Sequence, residues 1–510
     1  MSIDPLLKRS LGTDALFQYL GTGVQVFAGL IFYIGIARMF NTSEVGVISL
    51  LVAIIGLFNV LFSLGMSTAA QHYISFSLGE GNLELVPVIV RKITSYTLLS
   101  AFSGAVILYV FAPLISFIFL HNYIYINLIR ILSLVLLETI IYGIFNGFLL
   151  GLEKFKDMAI VNIIIWSLYY FTPIVLSFLD RNLITIIVGW LIGITIGVGF
   201  ELFLLMKFFV RKTDVHLGKN KQITVLHYSL PILFGGLVSY GAVYADRFIV
   251  SSMLAVKYLG IYNYSLLFVS AIGFVAVPFN NILMTKFSSL FAKGDIKAMI
   301  SMANISISLL SLFYIPLALF TFVIAPYILQ ILAGHEYLSA VLPLRIILAI
   351  SSLFVSRYVL SQIISSIKKT RVFVYSSGTA LIFNIILSLF LIPRISLLGA
   401  AIGFSSVYVI SFIIFSIIVR KSINFNIEFN SLYKIWASAL MMLFILFIEN
   451  HIIMSISLLL PIDIFSSIVT YFLLIKLLKP YNKEKSDIIL SLIPENLRSI
   501  KRLITYLISN

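Results

Sequence analysis

The sequence predicts an all-α, polytopic membrane protein with about fourteen transmembrane helices, and three observations lead there. Of its 510 residues, 61% are hydrophobic and only 11% charged, against about 45–50% apolar and about 25% charged in a soluble domain. Apolar stretches of about 20 residues, the length that crosses a bilayer as a helix, recur along nearly the whole chain and leave no soluble domain between them. The linkers between those stretches alternate in basic charge.

The first run, Leu16 to Phe40, is too long for a signal-peptide core and lacks a small-residue cleavage site, so it reads as a membrane anchor. Turn signals place the spans near 14–38, 45–68, 93–118, 126–151, 157–179, 183–208, 225–250, 260–285, 299–325, 339–365, 372–393, 398–419, 432–450 and 453–477. Twenty-seven Lys and Arg then fall in the linkers of one side, and only Arg38, Arg181, Lys257 and Arg394 in those of the other. The positive-inside rule puts both termini in the cytoplasm of a cell-membrane protein. The net charge of +15 is thereby a topology and lipid-headgroup signal, and nucleic acid is not an expected partner.

The chain has no cysteine, which excludes disulfides, thiol catalysis and cysteine-ligated metal. Its six histidines are scattered with no metal-ligand spacing. No catalytic residue, metal or cofactor is expected. The outer linkers are short, so function must sit among the helices.

Two passages repeat at a near-constant offset. ARMFNTSEVGVISLL from Ala37 aligns with VSSMLAVKYLGIYNYSLL from Val250, placing Gly46 on Gly260, and APLISFIF at Ala112 aligns with APYILQIL at Ala325. LIRILSLVLLE matches PLRIILAISSL, with Arg130 on Arg345. Each unit holds six spans, an even number, so both enter the membrane in the same direction. Two bundles related by a pseudo-two-fold axis along the membrane normal are expected, the skeleton of an alternating-access transporter. The expected division is a six-helix bundle over 1–210, a second over 220–425, two additional helices over 430–478 and a cytoplasmic amphipathic tail over 480–510.

The passages DRFIVSSMLAVKYLGIYNYS, VPFNNILMTKFSSLFAKGD, GHEYLSAVLPLRIILAISSL and LIPRISLLGAAIGFSSVYVISF resemble those of polysaccharide-biosynthesis membrane proteins. These are the Wzx-type oligosaccharide flippases, whose superfamily also contains multidrug and toxin extruders and the lipid II flippase. The resemblance covers most of residues 10–425. It implies a transporter of twelve to fourteen helices that moves a lipid-linked oligosaccharide, carried on a diphosphate-polyprenol, from the cytoplasmic to the outer leaflet without covalent chemistry. Its partners would be that lipid-linked oligosaccharide, membrane lipids and a proton or monovalent cation as coupling ion, and a monomer is expected.

Such a task calls for a polar, net cationic cavity, and the spans hold few charges with which to build one: Arg130, Glu138, Glu201, Asp246, Arg247, Arg345 and Arg357. Each costs about 2.5–3.5 kcal/mol at a helix centre, so none should face lipid. Arginine suits phosphate, because its planar fork donates two hydrogen bonds to one anion. Arg357 is the first candidate for a phosphate contact. Arg130 and Arg345 sit just inside the expected outer interface, where snorkelling to headgroups competes with a cavity role. At about 100° per residue, Glu138 lies about 180° from Gly147. The Gly143, Gly147 and Gly151 stripe should then pack on a neighbouring helix while Glu138, with Arg130, lines a cavity wall.

Asp246 and Arg247 are successive residues near the outer end of a span and point about 100° apart on a helix, so they do not face each other. An outer gate is the favoured role, ahead of contact with departing substrate or a passive interfacial cap. Tyr240 and Tyr244 are candidates for stacking on sugar rings, or for an interfacial aromatic belt. Glu201 reads as interfacial, being close to a helix end. Asn41, in NTS, is a formal glycosylation acceptor. Two other readings stand beside the flippase: a multidrug or organic-cation extruder, whose coupling would rest on acidic residues, and a membrane glycosyltransferase or polysaccharide polymerase, which would need a larger loop than any here.

Overall fold

A chain in hydrocarbon must satisfy every backbone N–H and C=O internally, and runs this apolar do so as helices. The computed structural model describes residues 5–82, 84–209, 225–452 and 456–481, which form seventeen α-helices and, among the described residues, no strand. Among the described residues, fourteen helical stretches are long and apolar enough to cross a membrane. The tail expected over 480–510 lies, beyond residue 481, outside the described residues.

The chain is organised as two compact units, residues 1–263 and 264–510. In the first are α1 (Pro5–Met39), α2 (Thr42–Ser63), α3 (Met66–Gly79), α4 (Leu85–Leu120), α5 (Ile126–Gly151), α6 (Phe155–Leu179), α7 (Leu183–Phe209) and α8 (Val225–Met253). α8 packs on α2, α3 and α4. α9 (Val256–Gly273) leads into the second unit, which continues with α10 (Val277–Ala292), α11 (Ile296–Leu332), α12 (Val341–Leu353), α13 (Arg357–Ser366), α14 (Arg371–Ile395), α15 (Leu397–Ile423), α16 (Phe429–Ile452) and α17 (Ile456–Leu478). α16 packs on α11 and α17.

The repeat is visible in element order. A long helix, a 3-10 turn and a shorter helix bearing an arginine occur as α4, Tyr123–Tyr125 and α5, then again as α11, His335–Ala340 and α12. One expected span is divided in both repeats. The span expected over 45–68 ends at Ser63, because Leu64 and Gly65 take left-handed conformations (φ 51 and 67) before α3 begins. Glycine adopts that backbone without strain. Its counterpart over 260–285 is split by a 3-10 turn at Phe274–Ala276.

One division is asymmetric. α5 runs unbroken from Ile126 to Gly151, whereas the equivalent positions, 341–366, are interrupted at Phe354–Ser356. Ser351, Ser352 and Ser356 stand where the first repeat has Leu136, Leu137 and Ile141. The hydroxyls of Ser351 and Ser352 bond back to the carbonyls of Leu348 and Ala349, in competition with the helical ladder. The break makes Arg357 the first residue of α13.

Candidate functional site

In the first unit the Asp246–Arg247 pair is enclosed, at 0% and 9% exposure. The two side chains serve different neighbours. Asp246 Oδ2 accepts from the Tyr262 hydroxyl of α9 at 2.6 Å, and its Oδ1 has no donor. Arg247 donates from Nη1 to the Val243 carbonyl at 2.9 Å and lies 4.0 Å above the Tyr244 ring. Tyr240 stacks on Tyr244 with centroids 4.3 Å apart and planes within 4°. The Tyr240 hydroxyl donates to the Ala53 carbonyl of α2 at 2.7 Å. Tyr244 thus has one face against Tyr240 and a guanidinium over the ring. The two tyrosines pack α8 to α2.

The same end of the unit is closed by backbone. A Cβ at Gly46 would fall 2.1 Å from the Val256 carbonyl oxygen, and one at Gly260 would fall 2.2 Å from that of Thr42. His121 Nε2 donates to the Ser251 carbonyl of α8 at 3.2 Å. Asn41, the formal glycosylation acceptor, is the N-cap of α2: its Oδ1 accepts from the Glu44 N–H at 2.9 Å, and Glu44 Oε2 accepts from the Asn41 N–H at 3.0 Å. That capping box stabilises the first turn of the helix that reaches the crossing.

α5 carries Arg130 and Glu138 towards different helices. Arg130 lies 5.0 Å above the Tyr109 ring of α4, with its Nε buried and unpartnered. Glu138 accepts from the Thr195 hydroxyl of α7 at 2.8 and 2.9 Å. The glycine stripe packs only in part: Gly147 lies against Ser67 and Gly151 against Ile74, but Gly143 faces open space.

A polar cluster that the sequence did not bring out lies between α5, α6 and α7. Asn162 Oδ1 accepts from the Tyr142 hydroxyl at 2.7 Å and from Asn146 Nδ2 at 3.1 Å, and Trp166 meets Tyr142 edge-on. Glu201 is fully buried beside this cluster, and neither carboxylate oxygen has a donor. The spacing of Tyr142 and Asn146, one turn apart in an apolar helix, was its available signal.

In the second unit, Arg345 serves the proline site of α11. Pro326 has no N–H, so it leaves the Phe322 carbonyl without its helical donor. Arg345 Nε supplies one at 2.8 Å, and Nη2 reaches the Val323 carbonyl at 3.4 Å. Arg357 differs. Its guanidinium is 4.3 Å from each of the Tyr358 and Tyr408 ring centroids, and its Nε is buried with no partner. Tyr314 stands nearby, and no carboxylate is among the neighbours of this arginine in the described residues. An apolar cleft of about 260 Å³ opens between α11, α16 and α17, lined by Leu312, Phe320, Met442, Ile468 and Phe472.

A family model described as polysaccharide biosynthesis protein matches residues 36–342. The chain belongs to that family. An uncharacterised membrane protein of Methanocaldococcus jannaschii is 26% identical over 432 residues, covering 77% of this chain and 94% of that protein. Among solved structures, the lipid II flippase MurJ in an inward closed conformation superposes with a TM-score of 0.71 at 19% identity, covering 91% of this chain and 98% of that one. An inward-facing multidrug-resistance MATE transporter of the MOP superfamily gives 0.62 at 14% identity, covering 78% and 94%. A MOP-superfamily transporter from Pyrococcus furiosus gives 0.55 at 14%, covering 80% and 94%. The family member therefore has the fold of a multi-pass membrane transporter.

Proposed function

We propose that this protein is an alternating-access flippase that carries an oligosaccharide on a diphosphate-polyprenol from the cytoplasmic to the outer leaflet. The observation that carries this reading is Arg357: a cation held by two tyrosine rings at a helix break, with a free buried donor and no counter-anion. A permanent charge without a counter-anion inside a bundle is expensive unless an anion completes it. A diphosphate would do so through the guanidinium fork. An organic-cation cargo would be repelled there. Arg130, whose Nε is also unpartnered, is the second candidate for the anionic headgroup; Arg345, Tyr240 and Tyr244 are occupied by packing roles.

The apolar cleft beside α17 lets a polyprenyl tail remain in a hydrocarbon environment while the sugar crosses. Passage between leaflets breaks no bond, so the reading requires no enzyme chemistry. Energy would come from a proton or monovalent-cation gradient. Basic linkers and both termini face the cytoplasm in this reading, and Asp246, Arg247 and the glycine crossing form the outer gate.

Equilibrium binding tests it. The purified protein should bind a polyprenyl-diphosphate oligosaccharide more tightly than its monophosphate analogue, and Arg357→Ala should remove a factor of about 10–100, the worth of hydrogen bonds to a charged group. Equal affinity of wild type and variant for the diphosphate would contradict the assignment.

A further inference from the structure

The two helices outside the repeat carry an acidic pair that the flippase reading does not use. Glu449 lies in the last turn of α16 and Asp463 two turns into α17, and the hairpin brings their carboxyl groups into hydrogen-bonding contact. Ser466 Oγ donates to Glu449 Oε2 at 2.6 Å, and Asn450 Nδ2 donates to Asp463 Oδ2 at 3.0 Å. Asp463 is fully buried, yet its Oδ1 has no donor.

Among the described residues no basic side chain compensates the pair. Tyr327 of α11 is near both Asp463 and Arg345 of α12, but Arg345 is committed to the carbonyls of α11. His451, at the end of α16, is exposed. Residues 452–459 contain no charged side chain. Two adjacent carboxylates in an apolar hairpin repel one another and lose hydration, so a bare, doubly charged pair is unfavourable. The available ligands are all oxygen, which suits a hard cation. Only two acids contribute, and among the described residues no three His, Asp or Glu side chains gather, which favours a singly over a doubly charged ion. Glu449 is only partly buried, which leaves the pair reachable from outside the fold.

We infer that Glu449 and Asp463 form a binding site for one small monovalent cation, an alkali ion or a proton, held between α16 and α17. The site stands independently of what the protein transports. Occupancy ties the two helices together and so stabilises the folded chain.

The test is thermal unfolding of the purified full-length protein, in one arm with sodium replacing choline at constant ionic strength and pH 8, in the other with pH varied in choline. Wild type should gain several degrees with sodium if the occupant is an alkali ion, or on acidification alone if it is a proton. The Glu449→Gln/Asp463→Asn variant keeps the neutral hydrogen bonds and should lose that response. Should the double variant fail to fold, each single substitution serves in its place. No response in wild type in either arm would overturn the inference. So would a response that persists in the variants, or one abolished by Glu201→Gln while Glu449 and Asp463 substitutions leave it intact.

Discussion

Gly46 and Gly260 hold equivalent positions in the two repeats, 214 residues apart, and touch each other: a Cβ at Gly260 would lie 2.8 Å from the Gly46 nitrogen. Each also meets the carbonyl that begins the other helix, Gly46 that of Val256 and Gly260 that of Thr42. The first turns of α2 and α9 therefore cross reciprocally, backbone on backbone, as small residues permit in membrane bundles.

Substitution at this crossing has no side-chain escape, because the obstructing atoms are backbone. Gly46→Ala and Gly260→Ala should each lower stability by about 1–3 kcal/mol, the range for overpacking, read as a lower midpoint in thermal unfolding. Gly143→Ala is the contrast. It faces open space and should be neutral or gain up to about 1 kcal/mol from helix propensity.

Arg345 and Pro326 should be energetically coupled. Arg345→Ala leaves the Phe322 carbonyl without a donor and should cost about 1–3 kcal/mol. With Pro326→Ala the helix regains its own N–H donor, so the further cost of Arg345→Ala should fall. A double-mutant cycle measured by unfolding would show a coupling of about 0.5–3 kcal/mol; additive effects would mean that the arginine acts elsewhere.

Tyr262→Phe removes the donor that holds Asp246 Oδ2 and leaves both oxygens unpartnered. A loss of about 1–3 kcal/mol is expected. Asp246→Asn in the same background removes the buried charge and should restore part of that loss, which unfolding midpoints of the three variants would show.

Conservative change at Arg357 separates charge from geometry. Arg357→Lys keeps the charge but loses the fork and the ring stacking, so transport should fall by about tenfold or more at matched expression. Tyr408→Phe preserves the ring beneath the guanidinium and should be milder. Initial rates in proteoliposomes measure both.

Much of the helical framework was legible because hydropathy reports it directly: α5 begins and ends at the residues expected, Ile126 and Gly151. The breaks were less so. Gly65 and the serines at 351 and 352 act through backbone conformation and local hydrogen bonds within runs that stay apolar. Side-chain roles were least legible, because each depends on a distant partner. Arg345 reads as an intramembrane charge until Pro326, nineteen positions earlier, is found to have vacated a carbonyl. Tyr240 reads as a free aromatic until Ala53 and Tyr244 take its hydroxyl and its face. Glu201 reads as interfacial by position, and only the packing of α5, α6 and α7 encloses it. Arg357 was singled out for its depth and lack of snorkelling room; the tyrosine box that holds it comes from three separate helices.

The central claim is tested most directly by reconstituting the wild-type protein into liposomes that carry a polyprenyl-diphosphate oligosaccharide and following appearance of the sugar in the opposite leaflet. The account predicts translocation that exceeds protein-free liposomes and falls at least tenfold in Arg357→Ala at matched incorporation. No translocation of that lipid by wild type, together with export of organic cations from the same vesicles, would contradict it.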